Sequence, residues 1–172
     1  MDVLEAIKSR RSIRKYKYNE IDHEIIVKLL EAAQWAPSGG NKQPWQFIIV
    51  SDKPKIKMLK MASPGFYGDE AALVFVICLD KERAEGIDYG VNMDLGMAAQ
   101  NVMLAAYALG LGSCAIASFT PRAVKNILNV PDTLELKLLI SIGYPAQIPK
   151  TTRRRPLNEL VYVNGYPTRW SE

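Results

Sequence analysis

Residues 92–109 constrain this chain more than any other stretch. They run Asn92-Met93-Asp94-Leu95-Gly96-Met97-Ala98-Ala99-Gln100-Asn101-Val102-Met103-Leu104-Ala105-Ala106-Tyr107-Ala108-Leu109, a helical pattern that is apolar on nearly all sides. A helix without a polar face has to be covered all round by other elements. Small residues at Gly96, Ala99, Ala105 and Ala106 let another helix approach closely, a second subunit's included. The apolar run is broken by Gln100 and Asn101 and is shorter than the roughly 20 residues a bilayer requires, so it reads as a core helix. Its methionines read as core fillers.

The remaining elements are those needed to cover it. Asp22 opens a helix that must stop at about Ala36, because Pro37 disfavours helix in the residue before it. Residues 46–51 form a buried strand, 53–61 a short helix and 62–69 an irregular loop. The run 72–79, ALVFVICL, is a second strand too continuously apolar to have a wet face. Residues 81–89 are polar and expected at the surface. Gly110 caps the core helix, and the Gly110–Gly112 pair lacks the preceding strand and third glycine of a dinucleotide fingerprint. Residues 113–117 form a short strand, and Pro121 opens a helix to about residue 128 with Thr120 as its N-cap. Residues 136–142 form a fourth strand, and 157–163 suit a short strand reaching away from the body. The fold class is α+β: one mixed, mainly antiparallel sheet of four to five strands wrapped by helices. Residues 1–172 read as one domain, with 150–172 as an extended tail directed at a partner subunit.

Charge is modest overall, +4, but uneven. Lys8, Arg10, Arg11, Arg14, Lys15 and Lys17 lie near the start, and Lys150, Arg153, Arg154 and Arg155 near the end. Within Arg10-Arg11-Ser12-Ile13-Arg14 stand three guanidiniums and a hydroxyl. Guanidinium forks suit phosphate oxygens, and Ser adds an uncharged donor. A solvated charged helix end explains the run equally well at this point. Two basic clusters suggest one anion site if the fold joins the ends. A second candidate is the loop Pro37-Ser38-Gly39-Gly40-Asn41-Lys42-Gln43-Pro44-Trp45, where two glycines allow close backbone approach and Ser38, Asn41 and Gln43 offer hydrogen bonds.

The chemistry available to side chains is limited. His23 is the only histidine, which removes most Ser-His, Cys-His and His-ligated metal chemistry. Cys78 and Cys114 have no metal-type or redox spacing and read as buried residues of a reducing cytoplasm. The start of the chain has no signal-peptide pattern. A catalyst of this composition takes its chemistry from a bound cofactor.

Four motifs in order resemble the FMN-dependent nitroreductase-like oxidoreductases: Arg10 to Tyr16; Ala36 to Asn41 with Gln43-Pro44-Trp45; Gly96 to Asn101 leading to Leu109-Gly110-Leu111-Gly112; and Ile142-Gly143-Tyr144-Pro145 with Arg153-Arg154-Arg155-Pro156-Leu157. The resemblance implies an intertwined homodimer with FMN at the subunit interface. It implies that Arg10, Ser12 and Arg14 clamp the phosphate, with Arg11 near the ribityl chain. Pro37, Ser38, Gly39, Gly40, Asn41 and Gln43 would be laid against the flavin by the other subunit. Ile116, Ala117 and Ser118 would present backbone N–H groups to flavin N5. Arg154, with Arg153 and Arg155 open, would make a second phosphate contact. Better-known members carry Pro-Ile-Glu-Gly where this chain has Ala115-Ile116-Ala117-Ser118, and an Asn and a Lys at the pyrimidine edge that residues 63–71 lack.

The activity implied is a hydride relay from NADH or NADPH through flavin N5 to a small, electron-poor aromatic acceptor such as a nitroaromatic or a quinone. Enone reduction, dehalogenation, flavin cleavage and non-catalytic FMN binding remain alternatives on the same scaffold. A nucleic-acid-binding module using Arg10 to Tyr18, with Tyr16 and Tyr18 as stacking rings, is the distant alternative. Neither a nucleic acid nor a membrane is expected as a partner.

Overall fold

Four strands, β1 (Trp45–Val50), β2 (Leu73–Asp80), β3 (Gly112–Ile116) and β4 (Leu134–Gly143), form one sheet in the order β1-β2-β4-β3. The computed structural model describes residues 2–86 and 90–170. Every pairing between named strands is antiparallel. Among the described residues, the parallel component expected of a mixed sheet shrinks to one isolated bridge, Ser12 to Ser113.

Strand alternation sorts the sheet into two apolar faces. Val74, Val76 and Cys78 of β2 pack with Ile56 and Leu59 of α3 (Lys53–Met61) and Val124 of α5 (Pro121–Leu128). Leu73, Phe75 and Ile77 pack on the opposite side with Leu29 and Ala33 of α2 (His23–Gln34) and Ala98, Val102 and Ala106 of α4 (Val91–Ala108). This explains why β2 is continuously apolar: helices cover it on both faces.

The core helix is covered on one side only within this chain. Leu95, Ala98, Ala99, Val102 and Ala106 are buried, while Met93 and Met97 are 67% and 37% exposed. Its end is a Schellman cap. Gly110, at φ 78°, donates to the Tyr107 carbonyl and Leu111 to that of Ala106. Helix α1 (Val3–Ser9) lies against α4 and likewise leaves Val3, Leu4 and Ile7 largely exposed.

Two expectations change in detail. Asp22 and Thr120 occupy N-cap positions without a side-chain hydrogen bond, whereas Asp2 and Asp52 cap α1 and α3 through the N–H groups of Glu5 (3.2 Å) and Lys55 (2.8 Å). Residues 157–163 are not a fifth strand. Leu157–Leu160 form a single helical turn, α6, held by Arg155 donating to the Glu159 carbonyl at 2.9 Å and to its carboxylate at 3.3 Å. After that turn Tyr162 makes an isolated antiparallel bridge with Arg169, Val163 donating to the Thr168 carbonyl and Trp170 to that of Val161, so the segment satisfies its backbone locally. The polar stretch at 81–89 is a turn through residue 86, and 87–89 lie outside the described residues. Among the described residues, no helix is long and apolar enough to cross a membrane.

Candidate functional site

The arginine stretch runs along the β3 edge of the sheet. Arg10 ends α1, and Ile13 N–H donates to the Ser113 carbonyl at 2.9 Å, fastening the chain to edge strand β3. Ile13 turns into the core. Gly112 lies so close beneath it that a Cβ there would fall 2.5 Å from Ile13 Cγ1. Tyr16 turns in as well and is 6% exposed. Its hydroxyl donates to the Ile13 carbonyl at 2.6 Å and lies 2.8 Å from Ser141 Oγ, while burial pushes its pKa well above the usual phenol range against the opposing Ser141 bond. A ring fixed in this way cannot stack on a base, which removes half of the aromatic pair on which a nucleic-acid reading relied.

The three guanidiniums have different fates. Arg11 is spent on its own chain, donating to the carbonyls of Lys8 (2.7 Å) and Arg10 (2.9 Å) and to Thr151 Oγ1 (2.7 Å). Arg10 buries its Nε without a partner among the described residues, and so does Ser113 its Oγ. The Arg14 side chain makes no hydrogen bond among the described residues, but its guanidinium carbon stands 5.1 Å from the centroid of the Tyr67 ring. An edge with cationic and hydroxyl donors and few acceptors is suited to an anion.

Residues 65–69 tie this edge to the end of β3. Gly65 N–H donates to the Ser118 carbonyl at 3.0 Å, and Asp69 N–H to the Arg14 carbonyl at 2.9 Å. Between them Gly68, at φ 98°, presses against Arg14 so closely that a Cβ would collide with its carbonyl oxygen. Arg14 and Ser118 are therefore neighbours across one short loop. Ala117 and Ser118 are exposed and donate no hydrogen bond among the described residues, whereas Ile116 is buried in the core.

The second candidate loop is built independently. Residues Gly39–Asn41 form a 3-10 turn, with Gly40, Asn41 and Gln43 all at positive φ of 49–56°. Ser38 Oγ accepts from Gln43 N–H at 3.0 Å, and Gln43 Nε2 donates to Asn41 Oδ1 at 3.2 Å. From outside, Asp94 of α4 accepts Gly39 N–H at 3.1 Å. Pro37 is exposed beside this turn. Left-handed backbone at non-glycine residues is costly and needs such supports.

One chain does not bring the two candidates together. Ser12 sits by Ser113 on edge strand β3, level with Leu73 at the start of β2. The Ser38 loop enters β1 at Trp45, on the opposite edge and level with Leu79 at the end of β2. By strand and residue spacing these corners are roughly 25 Å apart. The segment leading into the second basic cluster, in contrast, is tied to the arginine stretch. Ala146 N–H donates to the Lys15 carbonyl, and Thr151 contacts Arg11. Arg153 is exposed, and Arg154 folds back on Thr152, 2.6 Å from its hydroxyl. A cavity of about 290 Å³, lined by Lys17, Glu20, His23, Lys53 and Glu70 among others, contains neither candidate.

Sequence reading missed three residues: Asp94, Tyr67 and Ser113. Asp94 was visible as the one carboxylate in an otherwise apolar helix. Tyr67 stood in a loop whose Pro64, Gly65 and Gly68 announced unusual backbone. Ser113 gave no signal apart from its strand.

Comparison with known proteins follows this geometry. The sequence profile of the nitroreductase family matches residues 7–66 and 61–144. A protein of Methanothermobacter thermautotrophicus, provisionally named NADH dehydrogenase/NAD(P)H nitroreductase, is 35% identical over 156 residues, covering 88% of this chain and 81% of its own length. An NADH dehydrogenase of Thermus thermophilus is 31% identical over 195 residues, covering 94% and 95%. The structure of an FMN-dependent nitroreductase from Clostridium difficile superposes with a TM-score of 0.84 at 33% identity, covering 94% of this chain and 99% of that one.

Proposed function

Since the chain belongs to the nitroreductase family, we propose that it is an FMN-dependent NAD(P)H oxidoreductase, working as a homodimer that reduces small electron-poor aromatic acceptors. The observation that carries this reading is the surplus of donors at the arginine edge. Among the described residues Arg10 Nε is buried without a partner, the Arg14 side chain makes no hydrogen bond, and the N–H groups of Ala117 and Ser118 donate none across the 65–69 loop. Such a set fits a phosphate at one end and the polar edge of a flat ring at the other.

Arg10, Ser12 and Arg14 hold the phosphate. Arg11 acts differently: its bonds to Lys8, Arg10 and Thr151 fix the shape of the edge and draw the tail toward it. Arg154 or Arg153 adds a cation from that tail. When bound, FMN would supply the two-electron redox chemistry that links NADH or NADPH to a nitroaromatic, a quinone or a similar acceptor. The backbone N–H groups of Ala117 and Ser118 would face the N5 region of the flavin and orient the ring. No acid–base side chain is required, in keeping with a lone His23 in a separate cavity.

A second copy is needed for the Ser38 loop and the arginine edge to flank one cofactor. Exposed Val3, Leu4, Ile7, Met93 and Met97 offer apolar surface for that copy, and the tail's Leu157 and Leu160, about half exposed, suit contact with it. The cytoplasm suits the two buried free thiols and the nucleotide supply. Purified protein is expected to be yellow, to release FMN on denaturation, to sediment as a dimer and to oxidise NADH or NADPH when an acceptor is present. Failure to take up FMN on reconstitution overturns the reading. Bound flavin that neither nucleotide reduces in stopped flow makes the protein a non-catalytic binder.

A further inference from the structure

The fate of Arg14 differs from that of its neighbours in a way that points to a residue outside the anion-binding motif. Three consecutive residues, 67 to 69, address it. Asp69 N–H holds its carbonyl at 2.9 Å, Gly68 packs against the same carbonyl with no room for a Cβ, and the Tyr67 ring lies under its guanidinium. The two backbone contacts fix where Arg14 starts, and only the ring contact reaches its charged end.

A cation–π contact restrains a guanidinium without consuming an N–H. Arg11 shows the alternative, its donors taken by two carbonyls and a hydroxyl. An arginine held by a ring face keeps its donors for an incoming anion and loses less rotamer freedom on binding. Tyr67 is itself 60% exposed and makes no hydrogen bond among the described residues, so core packing is not its role.

We propose that Tyr67 is the positioning residue for Arg14, pre-orienting its guanidinium so that the site selects a phosphorylated flavin over its unphosphorylated counterpart. This rests on the FMN reading above. Selectivity then depends on a loop that lies far from the arginine motif in sequence.

The test measures dissociation constants of FMN and of riboflavin for the wild type, Tyr67→Leu, Tyr67→Phe, Arg14→Ala and the Tyr67→Leu/Arg14→Ala double variant. Tyr67→Leu is expected to narrow the preference for FMN about two- to fivefold, the magnitude of an exposed cation–π contact. Tyr67→Phe keeps most of the preference, and Tyr67→Leu has no further effect on it once Arg14 is alanine. In cofactor-free protein, the Arg14 Nε–H resonance, assigned by its loss in Arg14→Lys, carries a ring-current shift that Tyr67→Leu abolishes. Equal loss of FMN and riboflavin affinity overturns the proposal, as does a narrowed preference that persists without Arg14. Wild-type protein that binds neither flavin overturns the cofactor assignment itself, and the role of Tyr67 with it. Wild-type protein that prefers FMN by a margin Tyr67 does not alter overturns the role of Tyr67 alone.

Discussion

The carboxylate of Asp94, in the first turn of α4, accepts the backbone N–H of Gly39 at 3.1 Å across 55 residues of chain. It is the one buried charge of an apolar helix, 5% exposed, and its bond ties the 3-10 turn to that helix, while Lys42 at the end of the turn donates to the Glu85 carbonyl at 2.7 Å. Asp94 also stands where the helix dipole favours a negative charge. Asp94→Ala should therefore cost about 1.5–3 kcal/mol, the range for a hydrogen bond to a charged group. Urea unfolding measures the loss, and amide exchange at residues 38–43 should rise by more than elsewhere. Asp94→Asn keeps the acceptor oxygen and should fall between the two.

Arg10 and Arg11 are adjacent in sequence, but their variants should behave oppositely. Arg10 presents an unpartnered buried Nε, so Arg10→Ala should weaken FMN binding roughly tenfold or more through the loss of a charge-assisted contact. Riboflavin, lacking the phosphate, should be bound nearly as before. Arg11 already has three acceptors, so Arg11→Ala should lower stability by about 1 kcal/mol and affect both flavins alike. The pair of affinities, set beside a thermal melt, separates the two outcomes.

Gly112 allows the arginine edge to lie against β3. An added Cβ would stand 2.5–2.8 Å from three side-chain carbons of Ile13. Gly112→Ala should destabilise by about 1–3 kcal/mol, as overpacking does, and should push Ser12 and Arg14 out of register. Trimming the opposing side chain relieves the clash, so Gly112→Ala combined with Ile13→Ala should be more stable than the sum of the two changes predicts. A double-mutant cycle in urea checks this coupling.

Patterning made the layers legible because burial leaves its period in the residues. β2 is apolar on both faces since α2, α3, α4 and α5 cover it, and α3 and α5 begin and end where Pro121 and the apolar spacing of 53–61 indicate. The arginine stretch was legible as an anion site, but not the division of labour within it. Arg10, Arg11 and Arg14 are identical residues, and only the fold determines that Arg11 meets three acceptors while Arg14 meets a ring. The tail eluded pattern reading for a related reason. Residues 146–160 are exposed in one chain, so no packing partner within it dictates strand or helix. Asp94 and Tyr67 act on residues far away in sequence, which spacing along the chain cannot reveal.

Alkaline pH should unfold this protein through its core. Burial pushes the Cys78 thiol from 9.0 up to about 11, with Lys125 opposing weakly. The unfolded chain then releases this proton first, so stability is full below about pH 9 and is lost as pH rises toward 11. The loss attributable to Cys78 is about 2–3 kcal/mol over that window. Tyr16, whose phenol is raised by burial, adds its own loss from about pH 10 upward. Cys78→Ala leaves a cavity whose cost is the same at every pH. Its stability, measured by urea unfolding from pH 8 to 11, should start lower than wild type and fall less steeply between pH 9 and 10. If the two curves run parallel across that interval, the thiol is not the group that titrates.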